Sequence, residues 1–231
     1  MNSKINYDLD INVFRNIDNG NFYKTIWFST LNHKEELKKT LKNEILTFFK
    51  YLNINNKQHI FIVGLGNENH TVDSVGPRTL KYIKVNSYLE NLGIEIIGNK
   101  ISALEPGVLG ETGILTERII KSIVDDIKPD LVILIDSFVS NDINYLDKTI
   151  EITNAGIYSG SGLKIINSCI DKCSLGVPTL VIGVTTAIEL SFSKDKSVTP
   201  YLLSSNDIDS YVSDISKIIG ESINDAILDL L

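Results

Sequence analysis

Cysteine, methionine, tryptophan, histidine and proline are all scarce in this chain, which has 2, 1, 1, 3 and 5 of them. Cys169 and Cys173 fall short of a zinc tetrad, and no histidine follows them. A disulfide between them is unneeded in a reducing compartment, so reduced thiols are expected. The histidines are His33, His59 and His70. With none late in the chain, a Ser-His-Asp order of the α/β-hydrolase kind cannot be assembled. No apolar run reaches the roughly 18 residues that a membrane-spanning helix needs. The N-terminus, MNSKINYDLDINVF, has no apolar signal core. A cytoplasmic protein is expected, without membrane partners. Basic residues are outnumbered, 22 against 29 acidic, for a net charge of −7. No direct nucleic-acid contact is expected of such a chain, because phosphate binding needs a concentrated basic face.

Cofactor signatures are missing too. Gly64-Leu65-Gly66 lacks the third glycine of a dinucleotide fingerprint, and there is no GxxxxGK[ST] phosphate loop. SGSG (Ser159–Gly162) is not a GxSxG nucleophile elbow and reads as a flexible rim loop. No cofactor is expected.

What remains is an ordinary folding composition, 43% hydrophobic and 22% charged over 231 residues. One α/β domain over residues 1–231 is expected, with 1–20 as an extended or poorly ordered arm. YKTIWFST (Tyr23–Thr30) has strand composition. Asn32–Tyr51 has helical periodicity, with Asn32 and Glu35 at capping-box spacing. HIFIVGLG (His59–Gly66) and DLVILIDS (Asp130–Ser137) are apolar runs of buried parallel strands. A helix starts near Asp73 with Pro77 in its first turn. IEIIGN (Ile94–Asn99), Thr149–Thr153 and Thr179–Val184 read as further strands. Thr112–Ile127, Asn206–Ile219 and Glu221–Leu230 read as helices. Strands alternating with helices imply βαβ units and a mostly parallel sheet.

In such sheets, sites form at the carboxyl ends of the strands. Two acids lie there. Asp136 ends the run LVILID, and Asp73 follows FIVGLG. The plain reading makes Asp136 a loop cap and Asp73 a helix N-cap. The functional reading makes them a carboxylate pair sharing a proton, one acting as base and the other as acid. His70 either assists Asp73 or is a solvated loop residue. Two carboxylates without a later histidine make a poor transition-metal site.

Five segments, in order, resemble one family. GLGNENHTVDSVGP (Gly64–Pro77) is similar to the GLGN…TPDALGP segment of the germination proteases, with Val72 where that segment has proline. ISALEPGVLGETGILT (Ile101–Thr116), KPDLVILIDS (Lys128–Ser137), TNAGIYSGSGL (Thr153–Leu163) and LGVPTLVIGVTT (Leu175–Thr186) resemble that family's next four blocks. The resemblance implies a three-layer α/β/α sandwich like that of hydrogenase maturation proteases. It places Asp73 and Asp136 on the family's two catalytic aspartates. It implies small acid-soluble spore proteins as substrate and a forespore or spore-core setting. Gly66, Asn67 and Gly107 are expected to offer backbone or amide donors to an oxyanion. The chain is expected to act without loss of its first residues, and homo-oligomerisation is left open. The alternatives are a metal-dependent endopeptidase of the hydrogenase-maturation type and an inactive binding homologue.

Overall fold

The computed structural model describes residues 5–6, 11–159, 168–191 and 201–231. From Gly160 onward the SGSG loop lies outside them. The first elements are β1 (Ile5–Asn6), β2 (Ile11–Asp18), β3 (Asn21–Phe28) and α1 (Lys34–Tyr51). Next come β4 (His59–Gly64), a 3-10 turn Thr71–Asp73, α2 (Val75–Leu80), β5 (Lys100–Leu104), α3 (Leu109–Thr112) and α4 (Thr116–Ile127). They are followed by β6 (Leu131–Ser140), β7 (Thr149–Thr153), β8 (Ile157–Ser159), β9 (Ser168–Ile170) and α5 (Lys172–Leu175). The chain closes with β10 (Thr179–Leu190), β11 (Tyr201–Leu203) and α6 (Ile208–Leu228).

One sheet runs in the order β1-β2-β3-β7-β10-β6-β4-β5, with β11 pairing β10. Strands β10, β6, β4 and β5 are mutually parallel, as expected, and the pairings beyond β10 are antiparallel. Alternation along β6 sends Leu131, Ile133 and Ile135 to one face, where α1, α2 and α6 cover them. Val132 and Leu134 point to the other face, under α4, α5 and the β8–β9 hairpin. Three layers result, because a sheet this apolar must be covered on both sides. No described helix is long and apolar enough to cross a membrane.

Several expectations change. Ile11–Asp18 is not an arm but a strand in full register with β3. Its Ile11 and Val13 are buried beside Ile26 and Phe28. IEIIGN is not a strand; Ile94 and Ile97 are exposed, and pairing with β4 begins at Lys100. The Asn32–Glu35 capping box is absent. His33 is the N-cap of α1 without a side-chain bond, and Thr30 Oγ1 accepts the Asn32 N–H of the preceding turn instead. The two C-terminal helices are one, α6. Cys169 and Cys173 are both free thiols.

A buried ion cluster ties α1 to the antiparallel strands. Lys24 on β3 pairs with Glu44 on α1, both almost wholly buried, and Arg15 Nη2 lies 3.0 Å from the other Glu44 oxygen. Lys24 Nζ also sits 5.0 Å from the centre of the Phe48 ring. Burial pulls the Lys24 ammonium below its usual range, and Glu44 holds it up.

Candidate active site

Glycines let the backbone layers that carry Asp73 and Asp136 touch. A Cβ on Gly76, at the start of α2, would lie 2.2 Å from Leu65 O and 2.6 Å from Ile135 O. A Cβ on Gly64, at the end of β4, would lie 2.5 Å from Gly76 O. With hydrogen in both places, α2 seats directly on the tips of β4 and β6. Gly66 turns the connecting loop at φ +109°, and a Cβ there would lie 2.0 Å from Asp73 O. Loop and turn are then pinned together. Asn67 N–H donates to Asp73 O at 2.9 Å, and Asp73 N–H to His70 O at 2.8 Å. Thr186 Oγ1, on β10, donates to Val72 O at 2.6 Å. Gly76→Ala is therefore expected to cost about 1–3 kcal/mol, since the clash is with rigid backbone. Thermal melts check the stability change.

Asp136 is carried by β6, in register with Gly183 of β10. Its Oδ1 accepts the N–H of Ser137 at 2.8 Å. Burial, and then the nearby charge of Asp73, push its carboxyl up to about 7. Asp73 is also raised by burial, but the Asn67 N–H and the charge of His70 oppose the shift. The pair is thus asymmetric. One carboxyl is held protonated close to neutral pH, while its neighbour has groups favouring its charge. The plain reading fits Asp136, which accepts the N–H of the next residue, but not Asp73. Asp73 makes no side-chain cap, and the N-cap of α2 is Ser74. His70 is exposed and acts on Asp73 through its charge and through the turn.

The donors expected in the loops are distributed unevenly. Asn67 is buried, and its Nδ2 donates to Glu111 Oε1 at 2.9 Å while its Oδ1 accepts the Asn69 N–H at 2.8 Å. Its main-chain N–H is engaged by Asp73 O and one Nδ2 hydrogen by Glu111, so Asn67 helps to build the loop. Gly66 and Gly107 differ, since among the described residues neither N–H is taken by a hydrogen bond. Residues missed in the sequence hold the frame: Ser137 Oγ accepts the Val75 N–H at 3.4 Å, and Glu111 ties α3 to the Asn67 loop. No local pattern marks such long-range contacts. Among the described residues no three His, Cys, Asp or Glu side chains gather as a metal-ligand set.

Fold and site together define a three-layer α/β protein with a half-buried, asymmetric pair of carboxyls at the carboxyl ends of its parallel strands. A family model described as germination protease matches residues 24–205, and the chain belongs to the germination protease family. The germination protease of Caldanaerobacter subterraneus subsp. tengcongensis is 41% identical over 162 residues, 69% of this chain and 49% of that protein. Those of Oceanobacillus iheyensis and Bacillus subtilis are 38% and 36% identical, over 64% and 68% of this chain and 41% and 43% of their own lengths. The chain spans about half the length of the curated relatives it matches. Among solved structures, metalloproteinase-II from Bacteroides fragilis covers 78% of this chain and 62% of its own at TM-score 0.22 and 10% identity, too remote to bear on fold or function.

Proposed function

We propose that this chain is an aspartic-type endopeptidase that cleaves small acid-soluble spore proteins within the spore, using Asp73 and Asp136. The observation that carries the reading is the asymmetry of the pair: Asp136 is pushed up to about 7 by burial and by Asp73, while the rise that burial causes at Asp73 is opposed by the Asn67 N–H and the charge of His70. Asp73 takes a proton from a water as that water attacks the scissile carbonyl carbon. Asp136 gives its proton to the carbonyl oxygen, so that charge does not accumulate there. The Gly66 and Gly107 N–H groups supply further donors to that oxygen. Collapse of the tetrahedral intermediate returns a proton to Asp136 and passes the one on Asp73 to the leaving amine. Water is split between the two products and the pair is restored.

The test is incubation of the purified chain with a small acid-soluble spore protein, followed by mass spectrometry. Two internal fragments whose masses sum to that of the substrate plus one water are expected. An intact substrate after prolonged incubation would contradict the reading.

The thiols have no part in it. Burial and the neighbouring Asp171 carboxylate, which accepts from Cys169 Sγ at 3.5 Å, push that thiol up to about 11. It is therefore a poor nucleophile at neutral pH. The double variant Cys169→Ser, Cys173→Ser is expected to cleave within about twofold of the wild-type rate, as for substitutions away from a site. A folded but inactive double variant would replace the aspartate scheme with a thiol one.

A further inference from the structure

Among the described residues, the edge of the sheet next to the candidate active site is left unpaired at the end nearer that site. Strand β5 is the terminal strand of the parallel side, with β4 as its one sheet neighbour. Lys100 N–H bonds inward, to Gln58 O at 3.0 Å. Main-chain groups along a strand alternate in direction, so Ser102 and Leu104 also bond inward while Ile101, Ala103 and Glu105 face out. The outward groups of Ile101 are already closed by one residue. Asn86 Oδ1 accepts the Ile101 N–H at 2.7 Å, and Asn86 N–H donates to Ile101 O at 3.1 Å. Among the described residues nothing does the same for Ala103 or Glu105. Pro106 then ends the run, because it has no N–H to offer.

An unpaired edge invites another strand, and natural proteins usually blunt one. Here Asn86 blunts the far half and leaves the half that runs into the Pro106-Gly107 loop. Two strand spacings, about 10 Å, separate β5 from β6, which carries Asp136. That is a span of roughly three extended residues.

We infer that the edge formed by Ala103 of β5 and by Glu105 just after it is a docking strand for the substrate, whose extended main chain pairs with Ala103 on its way to the aspartates. The inference rests on the peptidase reading above and adds where the substrate lies. The occupant is an extended polypeptide because the groups on offer are main-chain donors and acceptors in strand register, which recognise a backbone rather than a side chain. The edge is also continuous with the cleavage site, which a separate binding partner would not require.

Ala103→Pro removes the outward N–H and leaves the inward bonds of Ser102 and Leu104 in place, the one kind of strand position where proline is tolerated. It is expected to melt near the wild type and to lose about tenfold in kcat/KM against a small acid-soluble spore protein, chiefly through KM, as one buried hydrogen bond is lost. Independently of that variant's folding, the Asp136→Asn protein saturated with the same uncut spore protein is expected to show slowed amide exchange at Ala103 and Glu105. Wild-type kinetics in a folded Ala103→Pro protein, or unchanged exchange at Ala103 with substrate bound, would overturn the docking strand while cleavage by the wild type kept the peptidase reading intact. Absence of cleavage by the wild type would overturn both.

Discussion

Asp136→Asn is expected to abolish cleavage and, at mildly alkaline pH, to make the protein more stable. Both effects follow from one half-buried carboxyl. In the unfolded chain Asp136 ionises near pH 4, as aspartates do (about 3.9). In the folded chain it keeps its proton up to about pH 7. The folded state therefore binds more protons between those values, so this group's contribution to stability falls as pH rises through that window. Above pH 7 the folded protein holds a poorly solvated charge near Asp73. Asparagine has the same shape and no charge to bury. The variant should gain about 2–4 kcal/mol at mildly alkaline pH, or very roughly 5–10 °C in Tm, and nothing below about pH 4, where both states are protonated. Activity should drop by about 10³-fold or more, because the group that protonates the carbonyl oxygen is gone. Asp73→Asn should lose activity to a similar degree. Melting curves across pH and fragment analysis by mass spectrometry check both. A variant that is inactive but less stable at every pH would mean that Asp136 is a structural residue.

Glu44→Ala is expected to be the most damaging single change away from the site. It strips the partner from Lys24, whose side chain is only 5% exposed, and leaves Arg15 without its carboxylate. An uncompensated charge in that position costs about 3–5 kcal/mol, against near zero for an exposed pair. The melting temperature should fall by roughly 10 °C. Replacing both partners, Lys24→Met with Glu44→Leu, should recover most of the loss, because two well-packed apolar groups bury no charge. A Glu44→Ala protein that loses under about 1 kcal/mol would show that Lys24 sheds its proton or reaches water. The pair matters to function only through the frame, since α1 packs against α6 and α6 against the α2 turn.

What could be read in advance had a local cause. The runs in β4 and β6 are continuous and apolar because both faces of those strands are buried, and glycine or proline bounds them. The strand-end rule drew attention to the two aspartates, and the family resemblance supplied the catalytic role expected of them. β5 was misplaced because an edge strand is selected by its neighbour, not by its own apolar content. Ile97, in the more apolar stretch, is 87% exposed, while Lys-Ile-Ser-Ala-Leu pairs with β4. Gly220 looked like a break between two helices. It lies inside α6, where a Cβ would come 2.6 Å from Tyr82 Cβ, so the missing side chain serves packing rather than a turn. β2 was hidden by polar residues on a strand with one buried side. The bond between Asn67 and Glu111 joins positions 44 apart, with no periodicity to announce it. That contact makes Asn67 part of the frame of the loop.

The central claim is that cleavage depends on a proton held by the Asp73–Asp136 pair, and the pH dependence of kcat/KM tests it most directly. The pair titrates jointly, so the profile reports apparent values that belong to both carboxyls. With a small acid-soluble spore protein as substrate, activity should rise on the acid side as the pair loses its first proton. It should fall on the alkaline side with a midpoint near 7, where Asp136 gives up its own. A kcat/KM that climbs through pH 7 and levels off at alkaline pH would contradict the account, because an ionised pair has no proton to give.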